Sequence, residues 1–310
     1  MMKSQLLLGA SMYVPTTRTI DNLVAIGNGE KYPALRSVIF CTEDAVRPDE
    51  LEGAIHNLRK ALPKLNDAEH PMRFIRVRNP EILSRCLRMR GIEKIDGFVL
   101  PKITEANLQY YLAHLSDRDN FLLMPTLETK EVFDGKEMGK LRQRMQSDER
   151  ARNRILCLRI GGNDLLNCIR VRRDPRRTIY ETPVGELIKR LAGEFIPNGF
   201  GLTAPVCEAT DPQHLKVLAE EVELDLLQGL FGKTVIHPDQ IPVVEAAYRV
   251  DPRDLEEAEE IVKPEAAAVF KRNGRMCEPT THRFWANDII ERAKIYGVRQ
   301  DGEPALRRVV

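Results

Sequence analysis

The residues that could do chemistry in this 310-residue chain are charged side chains that stand where apolar runs stop. Glu43-Asp44, Arg76, Arg78-Asn79-Pro80, Pro101-Lys102, Glu128, Asp164 and His237 each follow a short run rich in β-branched residues. Any one of them alone reads as a solvated loop residue or a helix cap. Their repetition along the chain points to a shared site. Glu128 and Asp164 lie one strand-helix unit apart, so a parallel sheet sets them on neighbouring strand ends, where two carboxylates repel. A hard divalent cation relieves that repulsion. Mg²⁺, with Mn²⁺ as the alternative, takes one or two carboxylates and fills its octahedron with water and substrate oxygens. Arg76 or Arg78 could then hold a substrate carboxylate in a bidentate fork. Strand alternation sends both arginines to one face, so the pattern does not choose between them.

The elements that must position these residues are legible as alternating strands and helices. Candidate strands are Leu6–Val14, Arg36–Phe40, Arg73–Val77, Gly97–Leu100, Phe121–Met124, Ile155–Ile160, Gly199–Val206 and Leu230–Ile236, several of them apolar throughout, as strands covered on both faces should be. Between them, Pro48 opens a helix with Leu51, Ile55, Leu58 and Leu62 on one stripe, and Thr104 and Asp211 are placed as helix caps. Eight such units predict a (β/α)8 TIM barrel, whose active residues gather where strands end. The expected division is a barrel catalytic domain over residues 1–250 and a helical C-terminal extension over 251–310. Asp251-Pro252 caps a helix from Leu255 to about Phe270, a break runs from Asn273 to Pro279, and a last helix spans about Phe284 to Tyr296. Its apolar residues predict a face buried against something other than the chain's own barrel.

Composition narrows the rest. With 47 basic and 46 acidic side chains the formal net charge is +1, which gives no global field for nucleic acid or a membrane surface. Leu6 to Val14 is too short and too weakly flanked for a signal peptide or a spanning helix. Six cysteines without a Cys-x-x-Cys pair and six dispersed histidines argue against structural zinc and fit buried thiols in a reducing cytoplasm. His237 is expected to be a hydrogen-bonding residue rather than a base.

Taken in order, Gly9-Ala-Ser-Met-Tyr-Val-Pro15-Thr-Thr-Arg18, Glu43-Asp44-Ala45-Val46, Arg76-Val-Arg-Asn79-Pro80, Val99-Leu-Pro101-Lys102, Leu127-Glu128-Thr129, Gly161-Gly-Asn-Asp164-Leu165 and Ile236-His237-Pro238 resemble the citrate lyase beta-subunit-like branch of the HpcH/HpaI aldolase family. The resemblance runs from residue 9 to about 250. It departs from the family pattern at Cys41-Thr42, at Asn163 and at Arg78. It implies a Mg²⁺ held by Glu128 and Asp164, a carboxylate clamp at Arg76 with Arg78 in reserve, and support from Glu43 and Asp44. Lys102 would line the substrate site without serving as a covalent amine. The implied reaction is Mg²⁺-dependent cleavage or formation of a C–C bond in a small carboxylated substrate or a coenzyme A thioester, through a stabilised enolate. The implied assembly is a homo-oligomer, trimer or hexamer, with the C-terminal extension at the interface. A barrel serving as a non-catalytic subunit of a larger biosynthetic complex is the alternative. Arg170-Val-Arg-Arg-Asp-Pro-Arg-Arg177, with five arginines in eight residues, is either a solvated loop or a site for a phosphate, such as the diphosphate of coenzyme A.

Overall fold

The computed structural model describes residues 4–68 and 71–300. Eight parallel strands form the barrel: β1 (Ala10–Pro15), β2 (Ser37–Cys41), β3 (Met72–Arg76), β4 (Gly97–Leu100), β5 (Leu122–Leu127), β6 (Leu158–Ile160), β7 (Leu202–Thr203) and β8 (Lys233–Val235). Each strand pairs with the next, and β8 returns to β1 with Ala10 opposite Lys233. The circle closes between β7 and β8 through a bridge from Ala204 to Lys233, with the Phe231 amide donating to the Leu202 carbonyl at 3.0 Å. The expected barrel is therefore the observed one.

Helices α1 (Ile20–Gly27), α2 (Leu51–Ala61), α3 (Pro80–Leu87), α4 (Glu105–Leu112), α5 (Gly135–Ser147), α6 (Glu149–Arg154), α7 (Gly162–Cys168), α8 (Pro183–Phe195), α9 (Leu215–Leu227) and α10 (Gln240–Ala247) wrap the strands. Caps come where the sequence offers them: Asn79 accepts from the Ile82 amide ahead of Pro80, and Thr104 forms a reciprocal capping box with Asn107. Strand alternation divides the apolar residues into two layers. Outward residues such as Val38, Phe40, Ile75, Phe98 and Leu127 meet the helices, whereas Ile39, Met72, Phe74, Val99, Met124 and Cys157 fill the barrel interior.

Several boundaries differ from the sequence reading, among them the sixth strand, which starts at Leu158, and the eighth, which runs only from Lys233 to Val235. The first strand begins at Ala10, because Gln5–Leu7 forms a 3₁₀ turn and Gly9 takes a positive φ of 49°. A side chain at Gly9 would strike Arg36 and Glu245, whose carboxylate accepts the Ala10 amide at 2.8 Å. The seventh strand shrinks to Leu202–Thr203 and its bridging Ala204. The tail is not wholly helical: α11 (Pro252–Val262) stops before Pro264, and β9 (Phe270–Arg272) and β10 (Arg275–Cys277) form a hairpin before α12 (Pro279–Tyr296). Asn273 and Gly274 both have positive φ, as a two-residue type I′ turn requires.

The end of the tail packs on its own barrel. Tyr296 meets Phe231 and Tyr248 ring to ring and donates to the Leu6 carbonyl at 2.6 Å, while Arg36 donates to the Ile295 carbonyl at 2.8 Å. Val250, Ala258, Ile261, Cys277, Ala286 and Ile289 make a small core of their own. Phe284, at 88% exposure, remains outside it. Among the described residues no helix is long and apolar enough to cross a membrane.

The basic run after α7 is mostly neutralised locally. Arg173 is buried and bonds both carboxylate oxygens of Glu221. Lys233, fully buried, donates to Glu221 at 2.7 Å and to Asp225 at 2.8 Å, and the Tyr180 hydroxyl donates to Asp225 at 2.7 Å. Burial pushes the Asp225 carboxyl up to about 6 against the pull of Lys233. Arg176 pairs with Asp174 and Arg177 with Glu181 at the surface.

Candidate active site

A cavity of about 520 Å³ opens at the carboxyl ends of the strands. Among the residues lining it are Tyr13, Asp44, Arg76, Thr126, Glu128, Arg159, Asp164 and Thr234. These come from β1, β2, β3, β5, β6 and β8 or the loops directly after them, so barrel closure brings together residues that the sequence scatters.

Arg76, the last residue of β3, is the hub. Its Nη2 lies 3.0 Å from carboxylate oxygens of Glu43, Asp44 and Glu128. One nitrogen carries two hydrogens, and these go to Asp44 and Glu128, which leaves Glu43 in charge contact only. The Nε of Arg76 is buried without a hydrogen-bond partner. Burial works against the Arg76 charge, but the charges of Glu128 and Glu43 help restore it and hold the guanidinium charged. Lys102 donates from Nζ to Glu43 at 2.7 Å and to Asp44 at 3.1 Å, and from its amide to Glu128 at 2.9 Å. That amide bond needs a left-handed backbone, φ 52°, at a residue that is not glycine. Strain of this kind persists where neighbouring contacts enforce it.

Burial pushes the Glu128 carboxyl up against the pull of Arg76, and the charge of Asp164 adds to the push. Asp164, half-buried in the first turn of α7, is raised by burial and by Asp44. Glu43 and Asp44 move in opposite directions. Burial and the hydrogen bond with Asp44 raise Glu43, whereas for Asp44 the bond with Glu43 and the charges of Arg76 and Lys102 outweigh burial and lower it. Gly161 makes room for Glu128, because a Cβ there would collide with the Glu128 side chain.

Arg78 takes no part in the cavity. Its guanidinium donates to the carbonyls of Thr42, Glu43 and Val46 and so fixes the loop after β2. Of the two arginines the sequence left open, the structure brings only Arg76 to the carboxylates. His237 stays outside the lining, its ring facing Asp239, while Gln240 holds the amides of Ile236 and His237. Arg159, Tyr13, Thr126 and Thr234 were not singled out from the sequence. A charged residue inside the apolar strand Ile155–Ile160, two places before Gly161, was the available signal for Arg159.

The donor set fits a divalent ion. Four carboxylates, Glu43, Asp44, Glu128 and Asp164, face two cations, Arg76 and Lys102, so in formal charge this end of the cavity lacks two positive charges. Among the described residues no three of His, Cys, Asp and Glu form a closed ligand cluster. Hard oxygen donors in so open a set suit Mg²⁺, which keeps positions for water and substrate, and not zinc.

A parallel barrel with acidic groups gathered at neighbouring strand ends carries its candidate site where barrels of this class carry their active residues. The chain belongs to the family described as C–C bond lyase of the TIM-barrel fold, whose profile matches residues 2–298. The (3S)-malyl-CoA thioesterase of Cereibacter sphaeroides is 27% identical over 226 residues, 72% of each chain. CitE from Mycobacterium tuberculosis, solved with magnesium, acetoacetate and coenzyme A, superposes with a TM-score of 0.68 at 18% identity, covering 94% of this chain and 99% of that one. A citrate lyase from Burkholderia xenovorans LB400 gives 0.72 at 13% identity over 97% and 96%. The resemblance read from the strand-end motifs thus holds for family and fold.

Proposed function

We propose that this protein is a Mg²⁺-dependent carbon–carbon lyase or aldolase acting on a small carboxylated substrate or its coenzyme A thioester. The observation that supports it most is the placement of Glu128 and Asp164 in one cavity, with Arg76 and Lys102 balancing only half of the local carboxylates. Glu128 and Asp164 would hold the ion. When bound, it supplies a Lewis acid for the oxygen on which charge develops as the C–C bond breaks. Arg76 keeps Asp44 and Glu128 in place and presents its charge to a substrate carboxylate entering beside Tyr13. Asp44, which lines the cavity and is kept charged by Arg76 and Lys102, would take the hydroxyl proton as the C–C bond breaks and return it to the enolate carbon, and Glu43 beside it would hold Lys102 and the Asp44 amide in place.

Malyl-CoA separates two outcomes. A lyase yields glyoxylate and acetyl-CoA, whereas thioester hydrolysis, the activity in the name of the Cereibacter relative, yields malate and free coenzyme A. Chromatography of the products with Mg²⁺ present tests the proposal, and appearance of malate without glyoxylate rejects the lyase assignment. No turnover of malyl-CoA, oxaloacetate or other 2-oxo acids by the purified chain favours a non-catalytic subunit. Self-association through the exposed end of α12 belongs to the same proposal. Phe284→Asp is expected to lower the mass seen by light scattering, and an unchanged mass removes that face as the interface.

A further inference from the structure

We propose that Arg159 receives a second anionic group of the substrate, a carboxylate or a phosphate at the end away from Glu128 and Asp164, and thereby sets specificity. The inference rests on the functional reading above for the first end of the substrate and on separate observations for the second.

Arg159 is the middle residue of β6, 2% exposed, and lines the cavity. Buried charges in proteins are paired or coordinated, since an isolated one costs several kcal/mol. Arg76 obeys that rule three times over. Arg159 does not: among the described residues its partners are all uncharged. Nη2 donates to the Thr234 hydroxyl at 2.6 Å, Nη1 lies 3.9 Å from the Met124 sulfur, and the guanidinium carbon stands 5.5 Å from the Tyr13 ring centre. A guanidinium has five N–H donors, and two weakly or neutrally engaged ones leave most of that capacity unused.

Its neighbours repeat the pattern. Thr126 on β5 and Thr203 on β7 are the register partners of Arg159, so all three side chains leave the sheet on the same face. The hydroxyls of both threonines are buried without a hydrogen-bond partner. Thr234, whose hydroxyl is also 3.5 Å from the Ala204 carbonyl, spends its proton there and accepts from Arg159. The result is one unneutralised cation flanked by two idle hydroxyl donors; Arg159 and Thr126 line a cavity shared with the carboxylates of Asp44, Glu128 and Asp164, and Thr203 is fully buried outside that lining. A divalent ion balances the acidic end and leaves the Arg159 charge uncompensated. A ligand with one anion at each end satisfies both.

The test uses the intact protein with saturating Mg²⁺ and three probes that share a 2-oxo carboxylate: pyruvate, oxaloacetate with a second carboxylate, and phosphonopyruvate with a phosphonate. Titration calorimetry is expected to show at least tenfold tighter binding of one of the two dianions than of pyruvate, and which one wins identifies the anion. In Arg159→Met, close in size and apolar beside Met124, that preference should fall to within twofold while pyruvate affinity is unchanged. Arg159→Lys should keep part of it. Equal weakening of all three probes, or a preference that survives Arg159→Met, overturns the proposal. A metal-free arm separates this from the reading it rests on. Sulfate without Mg²⁺ should raise the melting temperature of the parent protein and not of Arg159→Met, even if Mg²⁺ proves not to bind; no Arg159-dependent rise, together with no dianion preference, refutes the anion site.

Discussion

Replacing Arg76 by methionine removes the one cation that touches three carboxylates while keeping most of the apolar stem. At 3.0 Å and an effective dielectric of about 20, each pair has a gross attraction of about 5 kcal/mol, most of it offset by desolvation. The net cost of breaking a buried pair is about 3–5 kcal/mol, because the carboxylates are left uncompensated. At about 2 °C per kcal/mol for a chain of this size, the melting temperature should fall by about 6–10 °C near pH 7. The sign of the pH dependence follows from the same residues. Burial already raises Glu43 and Glu128, and loss of Arg76 raises them further. An acid raised in the folded state contributes stability that is fully present below its unfolded pKa and is lost as pH rises through its folded pKa. The deficit of Arg76→Met should therefore shrink on acidification toward about pH 5. Mg²⁺ should restore stability as well, by about 2.7 kcal/mol at a hundredfold excess over Kd, and should raise the melting temperature of the variant more than that of the parent. Scanning fluorimetry across pH and Mg²⁺ concentration measures all three effects. A variant within 2 °C of the parent near neutral pH, or a deficit that grows on acidification, refutes the reasoning; about 1 kcal/mol is the largest loss such a result allows.

Glu128→Gln and Asp164→Asn keep side-chain volume and remove one anionic ligand each, so Mg²⁺ titration should show lost affinity with an unchanged circular dichroism spectrum. Gly161→Ala should have the same effect without touching a ligand, by displacing the Glu128 side chain, and normal Mg²⁺ affinity in that variant would mean Glu128 is not a ligand. Arg173→Met strands part of the buried Glu221 charge and should cost about 3–5 kcal/mol in a thermal melt, whereas Arg176→Gln and Arg177→Gln at the surface should stay within about 0.5 kcal/mol.

What could be read from the sequence was whatever local pattern controls. Strand ends followed by charge located Glu43, Asp44, Arg76, Lys102, Glu128 and Asp164, since a parallel barrel turns chain position directly into position around the rim. Arg159 escaped that reading because it lies within a strand, where its direction depends on register against β5 and β7. Arg78 was indistinguishable from Arg76 by alternation; what separates them is a set of loop carbonyls from residues 42–46 that capture one guanidinium. Arg173 looked like its neighbours in a basic loop, and only the long-range approach of Glu221 makes it a buried residue. Asn273-Gly274 carried a hairpin signal in plain view, masked by the helical period on either side.

The bond from Tyr296 to the Leu6 carbonyl joins residues 290 positions apart, and it has a consequence in time. On the ribosome, all eight strands can be synthesised while the aromatic rings of Phe231 and Tyr248 still lack the Tyr296 ring that packs against them. Contacts of such separation form late, after the entropy of closing a very long loop has been overcome. A nascent barrel of this design therefore passes through an interval in which its strands are paired and its base is uncovered. Protection of the α12 amides from hydrogen exchange should appear after that of the barrel strands, together with the Tyr296 bond to the Leu6 carbonyl.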